Sequence, residues 1–249
     1  MNHVLNCRRN WSGQAVFGHA VCRYLLYGLL ALLSGGCALL PQPEVVPPDD
    51  SVLPDLPAAS TTADGYQIVE ATLEIHTFRA GWLSGMAHNH VMETDRISGR
   101  INIEKSIEAS TASLYFRPWD LELDNPASRI AAGAGFESTR TAEDIAATRT
   151  RMLGPNGFHA NDYPWVVIDV SWQSPEVVKL EIRFRDGVYP VDVPLTWSLE
   201  DGLLIASADF ELSHRGLGIR PYSAFAGALA VADPIRVQLD LSARLSSSL

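Results

Sequence analysis

Alternation of apolar and polar residues with a period of two dominates the second half of the chain. Five segments each place apolar side chains on one face and mostly polar side chains on the other. A period of two is typical of a half-buried β-strand. The five apolar faces are Val166, Ile168, Val170 and Trp172; Val178, Leu180, Ile182 and Phe184; Val191, Val193, Leu195, Trp197 and Leu199; Leu204, Ala206, Ala208, Phe210 and Leu212; and Ile235, Val237, Leu239, Leu241 and Ala243.

Short turns separate these strands. Ser174-Pro175, Asp186-Gly187 and Asp201-Gly202 supply the backbone conformations that tight turns need. One-sided strands joined by tight turns indicate an antiparallel sheet, and closing that sheet removes its exposed edges. Residues 67–78, 97–104 and 110–117 add three strands. We therefore predict a mainly β fold, an antiparallel barrel of about eight strands.

One helix interrupts the strand pattern, at residues 141–153. Thr141 and Asp144 resemble a capping box, and Ile145, Thr148 and Met152 lie on one helical face. Gly154-Pro155 ends the helix, because proline cannot continue it.

The N-terminus has the organisation of an export signal. Arg8, Arg9 and Arg23 precede an apolar run at residues 25–33, and small residues lead to Cys37. The run is shorter than the roughly 20 residues that a membrane-spanning helix needs. The motif resembles a lipoprotein signal box, with Ser34 where a branched aliphatic residue is usual. We predict a lipoprotein signal peptide over 1–36 and lipidation at Cys37. The alternative is an ordinary secretory signal with an incidental cysteine.

Cysteine usage and charge bear on location and partners. Removal of the leader leaves Cys37 as the single cysteine, so an internal disulfide is excluded. It also leaves 16 basic residues against 29 acidic ones, a formal charge of −13. Such a chain disfavours nucleic acid and electrostatic docking on anionic lipid. We expect attachment through N-terminal acyl chains, and Ala38 after the cysteine favours the outer membrane, facing the periplasm.

A proline-rich stretch separates Cys37 from the folded part. Residues 37–65 contain six prolines and predict an extended tether. Residues 66–245 form the predicted barrel domain, a length that suits one hydrophobic core. The sequence does not specify an oligomeric state.

Enzymatic motifs are absent from the sequence. It contains neither a Gly-x-Ser-x-Gly elbow nor a phosphate-binding glycine loop. Ser213 and His214 are neighbours, so on a strand they face opposite sides and do not pair as nucleophile and base. We predict that the protein is not an enzyme.

A pair of histidines, His88 and His90, is the most distinctive group of potential ligand-binding side chains in the sequence. On a strand His88 and His90 point the same way, and His214, His76 and His159 are further candidates. Converging imidazoles bind zinc, copper or haem. Two alternatives remain: His88, His90 and His214 hold a polar head group at the barrel mouth, or they are ordinary strand-end residues.

Several segments in fixed order resemble the YceI-like family. They are residues 78–81, 87–91, 97–99, 152–153, 163–164, 210–219 and 221–223. The chain departs from the family pattern at Leu217 and at residues 156–159. The resemblance implies a lipocalin-like barrel that holds an isoprenoid or a related amphiphile. We predict no certain cofactor, and a bound isoprenoid lipid is the candidate.

The inward faces of the strands supply the candidate ligand contacts. A barrel of about eight strands has room for its own side chains or for one ligand. In the alternative, these residues fill a dry core and the barrel is a non-binding structural or interaction domain. The candidate contacts are Trp172, Leu180, Ile182, Phe184, Leu195, Trp197, Phe210 and Leu212.

Overall fold

The protein is described by a computed structural model, which covers residues 52–57 and 64–246. The signal peptide 1–36, Cys37 and most of the tether 37–65 lie outside the described residues. The described residues belong to one unit, 45–249. Among them, no helix is both long and apolar enough to cross a membrane.

The described residues form twelve strands and two α-helices, so the predicted class is confirmed while the counts of about eight strands and one helix were too low. The helices are α1 (Pro126–Ala132) and α2 (Ala142–Leu153). The strands are β1 (Asp64–Ala80), β2 (His90–Thr94), β3 (Ser98–Ile103), β4 (Thr111–Phe116), β5 (Glu122–Leu123), β6 (Val166–Ser174), β7 (Val177–Phe184), β8 (Gly187–Pro194), β9 (Thr196–Glu200), β10 (Leu203–Ser213), β11 (Ser223–Ala224) and β12 (Leu229–Leu245).

All strands join one antiparallel sheet. Its order is β8-β7-β6-β4-β3-β1-β12-β10-β9. The long strand β1 pairs with β12 along its length, with β3 near its start and with β2 near its end. A bulge between Ile68 and Glu70 shifts the alternation of β1 and turns Val69 outward, where it is 55% exposed.

The sheet curls so that β8 lies beside β10. In the described residues, however, no hydrogen-bonded ladder joins β8 to β9 or β10. The curled sheet is therefore a half-barrel, with a seam between β8 and β10.

The predicted strand over 191–199 is two strands in the structure. Pro190 and Pro194 lack a backbone N–H, and the pairing of β8 with β7 ends at Pro194. The N–H of Leu195 donates to Glu176 O (2.9 Å), and β9 then pairs with β10. The chain thus crosses the seam at Leu195, from β8 on one side to β9, which pairs with β10, on the other.

We define the upper end of the half-barrel by the residues Ala80, Phe116, Val166, Phe184 and Ser213, at which neighbouring strands finish or start. Helix α2 is joined to the segment that leaves this end, because Arg149 donates to the carbonyls of Trp119 (2.6 Å) and Leu121. The predicted cap of α2 is confirmed: Thr141 Oγ1 accepts from the N–H of Asp144 (3.1 Å).

The core extends through the half-barrel to the upper end, where Phe116, Val166 and Phe184 are between 3% and 5% exposed. Strands on both sides of the seam contribute buried members that are at most 5% exposed: Trp172, Val178, Val193, Leu204 and Ala243.

Candidate functional site

The candidate ligand contacts all face the interior, in two classes of burial. Trp172, Leu180, Ile182 and Phe184, on β6 and β7, are between 3% and 8% exposed. The others are partly exposed and pack against the same core: Leu195, Trp197, Phe210 and Leu212. The inward positions are therefore sealed on β6 and β7 and more open across the seam.

Exposure of the inward positions rises along β10 towards the upper end. Leu204 is 1% exposed and Ala206 is 7% exposed, whereas Ala208, Phe210 and Leu212 are all partly exposed. These five residues face inward in succession, because side chains alternate along a strand.

The same change occurs across the seam on β8. Val193 is 1% exposed, and the next inward residues, Val191 and Tyr189, are partly exposed. Partly exposed apolar residues thus line both sides of the upper half of the seam, and we call this set the seam cleft: Tyr189, Val191, Ala208, Phe210 and Leu212.

Two tryptophans close the lower end. The rings of Trp172 and Trp197 meet edge to face with centroids 6.4 Å apart, and Trp197 Nε1 donates to Pro175 O (2.8 Å). The indole N–H of Trp172 is buried and has no hydrogen-bond partner in the described part of the chain. An unpaired buried donor costs about 1–3 kcal/mol.

A hydrogen-bonded network of charged residues lies at the upper end. The Nδ1 of His90 is 2.6 Å from Asp124 Oδ2, and Arg129 donates to Asp124 Oδ1 (2.5 Å) and to Asn89 O (2.9 Å). The Asp124 side chain is fully buried and that of Arg129 is 6% exposed, whereas that of His90 is 20% exposed. We call His88, His90, Asp124 and Arg129 the polar mouth.

Local structure fixes Asp124 within this network. It follows β5 with a φ of 56°, a left-handed conformation that Asp adopts more readily than most residues. Its N–H donates to Val91 O (2.8 Å), and its Oδ1 accepts from the N–H of Val91 (3.1 Å). Burial alone would raise the pKa of Asp124, but hydrogen bonds and charge from His90, Val91 and Arg129 hold that pKa below its usual value.

Asp124 also determines the tautomer of His90. An ionised carboxylate only accepts hydrogen bonds, so the Nδ1 of His90 carries the proton. Neutral His90 then presents Nε2 as an acceptor, suited to a hydroxyl group.

His88 lies two residues before His90, just ahead of β2. Burial lowers the pKa of His88, and the positive charge of Arg140 lowers it further, while Asp144 on α2 acts in the opposite direction. His88 thus lies within electrostatic reach of His90 and Arg129 and of Asp144 at the start of α2.

Asn89 positions the two histidines. Its Oδ1 accepts from the N–H of Arg79 (2.9 Å), and its Nδ2 donates to Gly135 O (3.2 Å). Beside this contact, Phe136 is buried and stacks edge to face on His76 with centroids 5.4 Å apart. The loop after α1 therefore holds the segment that carries His88 and His90.

His214 is held by a different element. Its Nδ1 lies 2.9 Å from Asp233 O, and its N–H donates to the same carbonyl. His76 pairs with Glu74, and His159 pairs with Asp162. Within the described ranges, no three His, Cys, Asp or Glu side chains are grouped so as to hold a metal ion. The structure therefore joins His90 to Asp124 and not to His214.

Sequence reasoning missed Asp124 and Arg129. Asn125-Pro126 after Asp124 is a helix-start signal, and Asn125 Oδ1 does accept from the N–H of Ala127 (2.8 Å). That signal predicts α1 but not the pairing with His90, which lies 34 residues away in sequence.

Two grooves lie outside the half-barrel interior. The first, of about 570 Å³, runs between Leu56-Pro57 and the outer faces of β3, β4, β6 and β7; the second, of about 350 Å³, lies near Pro194 and Asp240. Trp165 Nε1 donates to Val52 O and Arg183 donates to Asp55 O, both at 2.9 Å. The described part of the tether, 52–57, thus lies against the sheet.

Comparison with known proteins found similarity among solved structures. No protein-family model matches the sequence, and no curated protein matches it. The crystal structure of Burkholderia cenocepacia BcnA matches with a TM-score of 0.47 at 10% identity, over 69% of this chain and 95% of that one.

Two structures of the Campylobacter jejuni YceI protein match with TM-scores of 0.44, at 6% and 8% identity. Each match covers 63% of this chain and 85% of the other, and one of those crystals holds a monobromobimane guest. The solved structures that are similar to this chain thus include a YceI protein, at low identity.

Proposed function

We propose that the half-barrel binds one apolar amphiphile, whose hydrocarbon tail lies in the seam cleft and whose polar head lies at the polar mouth. The observation that carries this proposal is the rise in exposure along β10, from 1% at Leu204 to partial exposure at Phe210 and Leu212. A core filled by its own side chains has no reason to leave successive inward apolar residues open to water on both sides of one seam.

Apolar burial supplies the binding energy. Covering exposed apolar surface contributes about 25 cal/mol per Å². The seam cleft offers aromatic and aliphatic side chains in a row, Tyr189 and Val191 from β8 and Phe210 and Leu212 from β10. A long, flexible hydrocarbon fits such a row better than a compact molecule does.

The polar mouth selects the head group. In its neutral form His90 presents an acceptor, and Arg129 and Arg140 lie close enough to His88 to act on its pKa. An alcohol donates to the acceptor, whereas an acid or a phosphate would pair with the cations. Within this class we propose a polyisoprenoid, as the sequence resemblance implies, and a binding protein in place of an enzyme.

Native mass spectrometry of gently purified protein tests the proposal. A long-chain polyprenol presented in detergent micelles is the probe, and we expect a single added mass per chain. Leu212→Ala is expected to weaken uptake. The exposed Val188→Ala, whose side chain lies outside the cleft, is the matched control. Protein that carries no guest and takes up no polyprenol contradicts the proposal.

We further propose that the protein is exported and held at a bacterial outer membrane, facing the periplasm, by acyl chains on Cys37. The leader, the single mature cysteine and the proline-rich tether support this proposal, and the acidic surface argues against nucleic acid as a partner.

Fractionation of cells that express the full chain and its Cys37→Ser variant tests the anchor. We expect the mature chain to carry added acyl mass and to sediment with membranes, and the variant to lose that mass. Unmodified Cys37 in a cleaved chain overturns the anchor and leaves the binding proposal untouched.

A further inference from the structure

Two neighbouring turns at the upper end each expose large apolar side chains. Trp82 and Met86, in the turn after β1, are 81% and 74% exposed, and Phe225, in the turn after β11, is 76% exposed. Isolated exposed apolar residues are common, but a group of this kind on one edge marks an interaction site. We call Trp82, Met86 and Phe225 the apolar edge.

Backbone contacts hold the two turns together. The N–H of Leu83 donates to Ala228 O (2.8 Å), and the strands that lead into the turns pair through Ala80 with Ala230 and Ser223 with Ala230. Gly81 has a φ of 88°, and a Cβ there would collide with Ala228 O, so only glycine permits this approach. The apolar edge is therefore a built feature of two joined turns.

The turn that carries Phe225 is strained. Phe225 and Ala226 both adopt left-handed backbone conformations, with φ of 50° and 54°. Residues other than glycine seldom do so, and such strain persists mainly at functional sites. The fold thus keeps a bulky aromatic side chain in water at a conformational cost.

Charge around the apolar edge is opposite to that of the whole chain. Acidic residues outnumber basic ones 29 to 19 overall, yet residues 75–92 and 212–232 contain none. The acidic residue that follows the second range is Asp233, which accepts a hydrogen bond from the N–H of Arg215 (3.0 Å). The two ranges carry Arg79, Arg215 and Arg220, all exposed, and Arg151 stacks on Tyr222 with its guanidinium 5.0 Å from the ring centre. Arginine and tryptophan together are typical of surfaces that rest at a membrane interface.

We propose that the apolar edge and its arginines dock the folded domain onto a bilayer that contains anionic phospholipid. Trp82, Met86 and Phe225 enter the head-group region, while Arg79, Arg215 and Arg220 meet lipid phosphates. This inference goes beyond the proposed function, because it requires neither a bound guest nor acylation at Cys37. Docking in this orientation places the upper end, where the seam cleft and the polar mouth lie, against the lipid.

Vesicle co-sedimentation of the full chain with Cys37→Ser, which removes any acyl contribution, tests the docking. The probes are phosphatidylglycerol vesicles and phosphatidylcholine vesicles. We expect stronger binding to phosphatidylglycerol and a loss of that preference at high salt. Trp82→Ser with Phe225→Ser is expected to weaken binding about tenfold or more, since burial of each aromatic side chain is lost.

Matched control variants distinguish vesicle binding through the apolar edge from non-specific binding by other exposed residues. Val69→Ser with Ile205→Ser removes two residues that are 55% and 51% exposed elsewhere, and is expected to leave binding unchanged. Arg79→Gln with Arg220→Gln should lower affinity for phosphatidylglycerol roughly fivefold per residue. Arg100→Gln with Arg244→Gln, two exposed arginines outside the edge, should not.

Two outcomes overturn the docking. One is equal vesicle binding by the parent chain and Trp82→Ser/Phe225→Ser. The other is a dimer in sedimentation velocity that the same variant abolishes, without vesicle binding, which would make the edge a contact between copies. Polyprenol uptake from micelles is expected to survive in the edge variants, so failure of docking is distinguishable from failure of the proposed function.

Discussion

His90 and Asp124 lie 2.6 Å apart, Nδ1 to Oδ2, although 34 residues separate them in sequence. The contact joins β2 to the residue that follows β5, and Arg129 of α1 closes it from the other side of the carboxylate. A fully buried carboxylate is stable only when such partners satisfy it. The pair therefore holds the polar mouth together.

Asp124→Asn should destabilise the protein strongly. Asparagine keeps the size and tolerates the left-handed backbone, so the change isolates the charge. Breaking a buried ion pair leaves an uncompensated charge on Arg129 and costs about 3–5 kcal/mol. Urea denaturation measures this loss in the free energy of unfolding. Asp209→Asn, which removes an exposed partner of Arg236, is the matched control and should cost about 1 kcal/mol or less.

Stability should fall as the solution becomes acidic, with His88 responsible for the first part of the fall. Because the pKa of folded His88 is lowered, the unfolded chain binds more protons below the ordinary value of about 6.5. The stabilisation is therefore present above that value and decreases as pH drops towards the folded pKa. Urea midpoints at pH 7, 6 and 5 measure the fall.

His88→Gln should flatten the change between pH 7 and pH 5, and His159→Gln serves as the comparison at another site. If His88→Gln loses as much stability between pH 7 and pH 5 as the parent chain does, His88 is not the group responsible.

The pKa of Asp124 is lowered as well. Its stabilisation is therefore present above the ordinary value of about 3.9 and is lost only as pH falls through the folded pKa.

Local sequence signals predicted the strands well and the site only in part. The five strands with one apolar face each were predictable, because burial of a single face makes apolar and polar residues alternate with a period of two. Strand β2 was missed: Val91 is 1% exposed and Met92 is 7% exposed, so both faces are covered and the alternation disappears. The break at Leu195 was missed because the inward pattern continues from Val193 to Trp197 while the pairing partner changes from β7 to β10.

Only two of the four residues of the polar mouth were predictable from the sequence. His88 and His90 stand out in sequence as a close pair, but their partners come from another part of the chain. Asp124 and Arg129 are single charged residues without a motif, and only the fold brings them beneath β2. His214 hydrogen-bonds a different partner, the carbonyl of Asp233 on β12, and its place at the mouth stays a prediction.

Thr141→Ala should weaken α2. Thr141 Oγ1 accepts the N–H of Asp144 at the start of the helix, and loss of such a cap costs about 1 kcal/mol. Thermal unfolding measures the change, with the neighbouring exposed Thr139→Ala as control. Equal effects of the two substitutions would show that the cap is not what stabilises this end of α2.

Leu204→Ala and Leu212→Ala should separate stability from binding. Both are inward leucines of β10, but Leu204 is 1% exposed in the core and Leu212 is partly exposed in the seam cleft. Leu204→Ala should cost about 2–5 kcal/mol through loss of packing and an internal cavity. Leu212→Ala should cost less, because water already reaches part of that side chain, yet it should lower polyprenol uptake more. Urea denaturation and native mass spectrometry on the same samples give both quantities. If Leu212→Ala matches Leu204→Ala in stability and leaves uptake intact, the upper half of β10 is ordinary core and the seam cleft does not hold the guest.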